Sequence, residues 1–348
     1  MRVGVIVIFI PLILSVILFA EPNQIELPSR ALPCHDLIST VAQAHIIRAT
    51  ATFKYKNISE WDARRFIHRI TIPPGDVDWQ ILMSIEGDII DSATVWAHEN
   101  RIDQFMSFEF PINAHETVEH YVSFILLSIS RDYRITELRE ESLQLEHDEI
   151  VACHRYLQPS KYIESDANEI KDVAHEIVQP HETYVQKVCA AYEFPASYLK
   201  FIPQDTKGAL AALKTGTGDC VEYATLFAAL CRASDIPART SGVFWLRYDS
   251  LTAETPTHVA AEVYIPAVGW IPTYPNLGGG RYDLDYGLGR TGGTIVLVKR
   301  EGSWVWSNWL PPDAYTDSNH KPILEAEMRW DLHIVDSGKA YELYDRHR

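Results

Sequence analysis

Apolar and polar residues alternate with a period of two through much of the first half of the chain. The stretch HIIRATATFKYKN shows the alternation clearly, because one face collects Ile47, Ala49, Ala51, Phe53 and Tyr55. Successive side chains of a β-strand point to opposite faces of a sheet, so this pattern predicts a strand with one buried face. Comparable stretches follow to about residue 140 between short polar breaks, and their spacing predicts an antiparallel β-sandwich.

The middle of the chain changes to helical spacing. Between residues 167 and 201 the apolar positions recur every three or four residues, which predicts helix. Pro180 and Pro195 interrupt this pattern, and because proline inside a helix breaks or kinks it, we expect two or three helical pieces. A second, strongly apolar helix is predicted at about 221–234.

Beyond Pro237 the chain is again rich in strand-like stretches, and a glycine-rich loop at 276–293 separates the last two of them. An apolar helix followed by an antiparallel sheet predicts an α+β arrangement. We therefore expect a β-sandwich domain at 21–155 and an α+β domain at 156–312. The remaining residues, 313–348, form a C-terminal extension that is predicted to be a β-hairpin.

The N-terminus has the character of a signal peptide. Arg2 precedes an apolar run at 3–20, which contains Pro11 and ends at the small residue Ala20. These features predict a secretory signal at 1–20 and a periplasmic or secreted protein. The alternative is an uncleaved membrane anchor, because the run is long enough to span a bilayer. No other stretch is as long and apolar, so no stable membrane span is expected after removal of the signal.

Charge and cysteine content narrow the classes of function for these 348 residues. A formal net charge of −16 disfavours nucleic acids and anionic membrane surfaces as partners, because both are negatively charged. The five cysteines form no Cys-x-x-Cys pair and no His/Cys cluster, so no metal site and no cofactor are predicted. An odd number of cysteines in an exported protein leaves at least one thiol unpaired or bonded between chains.

One cysteine, Cys220, stands at the predicted start of the second helix in the stretch TGTGDCVEYATLFAALC. The preceding glycines let the chain turn sharply, and a helix N-terminus lowers the pKa of a thiol and offers N–H groups to an oxyanion. A thiol nucleophile also needs a base, and His258 opens a strand 38 residues later. Each residue alone is interpreted more simply as structural, but their combination favours a nucleophile. Asp219 is interpreted as a helix cap and Glu222 as a cap or solvent contact.

The motifs around Cys220, GDCVEYATLFAALCRASDIPAR and HVAAEVYIPAVGWIPTYPN, resemble those of the transglutaminase-like superfamily of papain-type cysteine enzymes, over roughly 156–312. The resemblance implies that Cys220 is the nucleophile and His258 the general base. It also implies a papain-like fold in which the nucleophile helix packs on an antiparallel sheet. The β-rich first half resembles the sandwich that often precedes this domain in bacterial members.

The third catalytic residue of the family is an aspartate in a Gly-Trp-x-Pro-x-Asp-Pro motif. This chain has GWIPTYP, so Tyr274 stands where the aspartate belongs. A tyrosine hydroxyl is able to accept a hydrogen bond from an imidazole N–H and orient the ring, but it carries no charge at neutral pH. Three alternatives remain open: Tyr274 orients His258, Asp283 or Asp285 in the glycine-rich loop does so, or the site is degenerate.

The implied chemistry is thiol acyl transfer, in which Cys220 attacks an amide carbonyl and water or an amine resolves the acyl-enzyme. Hydrolysis of a peptide or amide is the first prediction, with a protein or peptide as the substrate. The alternatives are protein crosslinking by transfer to an amine, and a catalytically inactive binding module that uses the same groove. The oligomeric state is not predicted.

A catalytic role requires Cys220 to be a free thiol and leaves four other cysteines. Cys34 and Cys153 bracket the first domain, and because an oxidising compartment permits disulfides, a bond between them is predicted. Cys189 and Cys231 fall on apolar helical stripes and are interpreted as core residues.

Overall fold

A computed structural model describes residues 4–5, 40–138, 143, 145, 147–246, 248–266, 268–277, 287–303, 306–309 and 320–340. Strands dominate the first part of the chain. They are β1 (Gly4–Val5), β2 (Thr40–Asn57), β3 (Ala63–Ile72), β4 (Gln80–Gly87), β5 (Thr94–Ala97), β6 (Gln104–Ile112) and β7 (Thr117–Asp132).

Helices and further strands make up the rest of the described chain. The helices are α1 (His147–Cys153), α2 (Asn168–Val173), α3 (Tyr184–Tyr198), α4 (Ala209–Thr215) and α5 (Cys220–Ala233). The strands are β8 (Lys200–Phe201), β9 (Thr217–Gly218), β10 (Ala238–Trp245), β11 (Ser250–Ala253), β12 (His258–Ile265), β13 (Gly269–Thr273), β14 (Arg290–Thr291), β15 (Ile295–Arg300), β16 (Trp306–Trp309) and β17 (Leu324–Asp336).

Two antiparallel sheets pack face to face and form the predicted sandwich. One sheet has the strand order β1-β4-β7-β2-β17-β11, with β14 also paired to β7, and the other has the order β16-β3-β6-β5. Aromatic side chains from both sheets fill the space between them, among them Phe53, Phe66, Phe108 and Phe124. Buried and half-buried residues alternate along β2, and the buried ones supply one wall of this core. This alternation is the period of two seen in the sequence.

Distant parts of the chain complete the sandwich. Strand β17 lies between β2 and β11, and it pairs with β2 along most of its length, from Leu324↔Asn57 to Asp336↔Ile46. The first strand of the predicted C-terminal hairpin is therefore an inner strand of the larger sheet. Residues 338–340, at and just after the predicted turn, are helical, and 341–348 lie outside the described residues. The hairpin and the predicted domain boundaries therefore stay predictions.

The helical region begins with α2, which continues as a π-helix over Ala174–Val178. Pro180 lies in the break before α3, as expected. The region forms two helical pieces, within the two or three expected, although Pro195 lies inside α3 near its C-terminal end and does not interrupt it. The last turn is still closed, because the Leu199 N–H donates to the Pro195 carbonyl at 2.9 Å. A proline in the last turn removes a single backbone bond, so the helix tolerates it.

A third antiparallel sheet, with the order β13-β12-β10-β15, has both faces covered. Helix α5 packs on one face, where Phe227 and the fully buried Cys231 share a core with Ala261 and Val263. The opposite face packs against Trp79 of the sandwich through residues such as Ala260. The α+β fold, with an antiparallel sandwich and a helix on an antiparallel sheet, is thus confirmed.

Side-chain hydrogen bonds join the third sheet to the sandwich. The Gln80 side chain donates to the Leu297 carbonyl and accepts the Leu297 N–H, both at 2.8 Å, and Ser128 donates to the Ile295 carbonyl at 2.9 Å. Within the described residues, no helix combines the length and apolar character needed to cross a bilayer. Most of the predicted signal at 1–20 falls outside those residues, and the signal therefore stays a prediction.

Candidate active site

Helix α5 begins at Cys220 and is held by a reciprocal cap. The Asp219 carboxylate accepts the Val221 N–H at 2.9 Å, and the Glu222 carboxylate accepts the Asp219 N–H at 3.1 Å. This capping box fixes the direction in which the chain enters the helix. Gly218 is required here, because a Cβ at that position would lie 2.3 Å from the Glu222 Cβ. The Gly-Asp-Cys motif thus sets the position of the thiol.

Glu222 ties the start of α5 to the loop that follows β8. Its side chain is fully buried, and one carboxylate oxygen accepts the Lys207 N–H at 2.8 Å and the Gly208 N–H at 3.4 Å. Burial acts to raise the pKa of this carboxyl, but the donated N–H groups outweigh burial and hold the pKa below its ordinary value. The cap contact of Glu222 agrees with the interpretation from the sequence. Its burial and its contacts with the loop were not predicted.

The Cys220 thiol is half-buried where α5 meets β12. The backbone N–H of Val259, the residue after His258, lies close enough to the sulfur to lower the thiol pKa. Burial raises the pKa of this thiol, the Asp219 and Glu222 carboxylates raise it further, and the Val259 N–H only partly offsets them. The net direction is opposite to that expected from a helix N-terminus alone, so activation of the thiol depends on a proton acceptor beside it.

His258 is the first residue of β12 and is 8% exposed. Its ring lies against two aromatic rings, with centroid distances of 5.6 Å to Trp245 and 6.0 Å to Tyr274. Because Val259 contacts the Cys220 sulfur, the chain around His258 lies next to the thiol. The structure therefore places Tyr274 against His258 and the Cys220 sulfur beside the next residue, Val259.

Tyr274 contacts His258 through its ring. The two rings are nearly parallel, at 21°, and Tyr274 is buried. Its hydroxyl has no hydrogen-bond partner among the described residues, and burial raises its pKa well above the ordinary value. The predicted hydrogen bond that would orient the imidazole is thus not among the contacts of Tyr274. Asp283 and Asp285 lie outside the described residues, so the identity of the third catalytic residue stays a prediction.

Replacing Tyr274 with phenylalanine is expected to change neither stability nor thiol reactivity appreciably. A buried hydroxyl without a partner contributes little, so the free energy of unfolding should change by less than about 1 kcal/mol. Tyr274→Ala, which also removes the ring beside His258, should destabilise by about 3–5 kcal/mol. Urea unfolding and the rate of Cys220 alkylation by iodoacetamide measure both quantities. A tenfold slower alkylation in a folded Tyr274→Phe variant would show that the hydroxyl does orient His258.

A buried ion pair lies in the same sheet as His258. Arg239 on β10 and Glu262 on β12 stand opposite each other in register, and the Arg239 Nε lies 2.8 Å from a Glu262 carboxylate oxygen. The guanidinium is centred 4.0 Å over the Trp270 ring, and both charged residues are almost completely buried. The pair was missed from the sequence. A glutamate on the same face of the strand as His258, inside an apolar stretch, was the available signal.

Two further predictions concern metals and cysteines. No cluster of three or more His, Cys, Asp or Glu side chains suited to a metal ion occurs in the described parts of the chain. Cys153, Cys189, Cys220 and Cys231 form no disulfide with one another. Cys34 lies outside the described residues, so the predicted Cys34–Cys153 bond stays a prediction.

Part of the chain matches a known family, and most of it resembles a solved structure. Residues 171–275 match the family model of the transglutaminase-like superfamily. A candidate cysteine protease from Cytophaga hutchinsonii is similar in structure, with a TM-score of 0.55 and 14% identity, over 86% of this chain and 93% of that protein. Most of the chain therefore has a fold similar to that of the Cytophaga hutchinsonii protein.

A second solved structure is less similar to this chain. The periplasmic domain of TgpA from Pseudomonas aeruginosa aligns over 69% of this chain and 93% of that domain, at 13% identity and a TM-score of 0.31, which is too low to support an argument. A search of curated proteins gave no significant match. The family match covers the start of α5, β12 and the GWIPTYP stretch. Residues 171–275, which contain Cys220, His258 and Tyr274, are thus similar to the transglutaminase-like superfamily.

Proposed function

We propose that this protein is an exported cysteine enzyme that cleaves amide bonds of protein or peptide substrates by thiol acyl transfer. The observation that carries the proposal is the placement of the Cys220 sulfur against the backbone N–H that follows His258, at the start of a capped helix. The N-terminal apolar run supports export. Cys220 is the proposed nucleophile, His258 the proposed general base, and Tyr274 a positioning residue through ring contact.

The proposed reaction begins with attack of the Cys220 sulfur on the amide carbonyl carbon, while His258 takes the thiol proton. The Val221 N–H already donates to the Asp219 carboxylate. The Cys220 N–H is therefore the donor at the helix start that we propose for the oxyanion. Collapse of the tetrahedral intermediate breaks the C–N bond, and His258 returns the proton to the leaving amine. His258 then takes a proton from water, whose oxygen attacks the thioester. The carboxylic acid product leaves and the thiol is restored.

An acyl-enzyme should form with p-nitrophenyl acetate, a small activated acyl donor. We expect a burst of p-nitrophenolate with acetylation of Cys220, followed by slower turnover, because thioester formation and hydrolysis are separate steps. Stopped-flow absorbance measures the burst, and peptide mapping locates the acetyl group. Cys220→Ala should abolish the burst, whereas Cys189→Ala, which removes another thiol that is not fully buried, should keep it.

The fate of the acyl group separates the alternatives. Hydrolysis predicts acetate as the main product even when a primary amine such as butylamine is present. Transfer mainly to butylamine would favour the crosslinking alternative. Absence of a burst in the folded wild-type protein would favour a non-catalytic binding module.

A further inference from the structure

A two-stranded parallel sheet leads directly into the candidate nucleophile. Strand β8 pairs with β9 in the register Lys200↔Thr217 and Phe201↔Gly218, and β9 ends two residues before Cys220. The Lys200 N–H donates to the Gly216 carbonyl at 2.9 Å, and the Ile202 N–H donates to the Gly218 carbonyl at 2.8 Å. Hydrogen-bonding groups alternate in direction along a strand, so the N–H and C=O of Phe201 point away from β9.

That outer edge of β8 pairs with no other strand among the described residues. Proteins usually protect such edges with charged side chains or cover them. On β8 the charged Lys200 is exposed, and large apolar side chains on and beside the strand are exposed as well, to 43% at Tyr198, 50% at Phe201 and 38% at Ile202. An exposed group of apolar residues beside a site marks a surface that another chain covers.

The edge is also held rigidly. The Tyr198 hydroxyl donates to the Leu213 carbonyl in α4, and the Tyr223 hydroxyl of α5 donates to the Leu199 carbonyl, both at 2.6 Å. These two bonds fix the backbone on the N-terminal side of β8. A preformed edge loses little conformational entropy when a partner binds, which favours its use in recognition.

We propose that the edge of β8 binds the substrate as an extended peptide by strand addition. This inference rests on the proposed function: the acyl group on Cys220 derives from a polypeptide, and β9, the partner strand of β8, ends two residues before Cys220. An extended peptide presents alternating N–H and C=O groups that match those of Phe201. The exposed side chains of Phe201 and Ile202 select peptides with apolar residues near the cleaved bond. The protein is then a peptidase with a preference for extended apolar segments.

The test compares Phe201→Pro with Phe201→Ala, using an acetyl-Leu-Leu-Leu chloromethyl ketone that alkylates Cys220. Both variants lack the phenyl ring, but only proline lacks the outward N–H, and edge strands tolerate proline at such positions. We expect KI, the ketone concentration that gives half-maximal inactivation, to be about five- to tenfold higher for the proline variant than for the alanine variant. This factor corresponds to the loss of about one hydrogen bond, the one donated by the N–H of residue 201. The maximal inactivation rate should be unchanged, because the thiol and His258 are not altered.

A second measurement needs no change in the protein. Methylating the backbone amides of the ketone one at a time should raise KI for wild type at one position, that of the amide whose N–H donates to the Phe201 carbonyl. Equal KI values for the two variants, together with no sensitive amide in the ketone, would overturn the proposal. So would a wild-type dimer that becomes monomeric in Phe201→Pro, because the edge would then bind a second copy of the chain.

The p-nitrophenyl acetate burst separates this inference from the proposed function. The acetyl donor is too small to use the edge, so Phe201→Pro should show the wild-type burst. If the variant loses the burst through misfolding, the amide-methylation series on wild type still decides. A wild type that shows the burst but has no sensitive amide refutes strand addition alone, whereas a wild type without a burst refutes the proposed function.

Discussion

Replacing His258 with alanine is expected to slow alkylation of Cys220 by iodoacetamide at pH 7 by about 100-fold or more. This is the factor by which a general base typically accelerates a reaction. The reactive species is the thiolate, and burial raises the pKa of the Cys220 thiol. Without a proton acceptor, the thiolate fraction at neutral pH is therefore smaller than for an ordinary cysteine. Alkylation is followed by mass spectrometry of the Cys220 peptide over time.

The alkylation rate of Cys220 should depend on pH differently in wild type and in His258→Ala. In wild type, proton transfer to His258 should give a rate that already levels off near neutral pH. In His258→Ala, the rate should keep rising with pH beyond the ordinary thiol range, because the raised pKa moves thiolate formation upward. Superimposable pH profiles for the two proteins would contradict the role of His258 as base.

Internal controls are available in the same experiment. Burial raises the pKa of Cys153 and of Cys189 to about 11, so both thiols should react slowly at pH 7 in every variant. His175→Ala removes an exposed histidine on the π-helix and should leave the Cys220 rate unchanged. A loss of reactivity in that variant would point to a general disturbance of the fold.

Replacing Arg239 with methionine is expected to lower the free energy of unfolding by about 3–5 kcal/mol, the cost of leaving a buried charge without its partner. Glu262 is fully buried and accepts two hydrogen bonds from the Arg239 guanidinium, at 2.8 and 3.3 Å. The double variant Arg239→Met/Glu262→Met should be more stable than the single one, because it removes the unpaired carboxylate as well. Urea unfolding measures both values.

An exposed pair provides the matched control. Arg65 and Glu109 also form a two-point ion pair, at 2.9 and 2.8 Å, but on the surface of the sandwich. Arg65→Met should cost less than about 1 kcal/mol, because water solvates the remaining carboxylate. Equal losses for Arg239→Met and Arg65→Met would show that burial of the Arg239–Glu262 pair has no energetic consequence.

The sequence by itself determined the elements whose cause is local. The period of two along β2, the helical spacing of α5 and the Gly-Asp-Cys motif depend only on neighbours in the chain, and the structure has a strand, a helix and a cap at these places. Local rules were less reliable at Pro195, because they do not say whether a proline falls in the middle or the last turn of a helix.

Only the tertiary structure decided the contacts between residues far apart in the chain. The pairing of β17 with β2, the Val259 N–H on the Cys220 sulfur and the loop contacts of Glu222 all join distant segments. The direction of the Cys220 pKa follows from those contacts. A helix start predicts a lower pKa, but desolvation depends on which segments fold over the thiol, and here burial prevails. The sequence thus predicted Cys220 as the nucleophile, and the packing around it decided the direction of the thiol pKa.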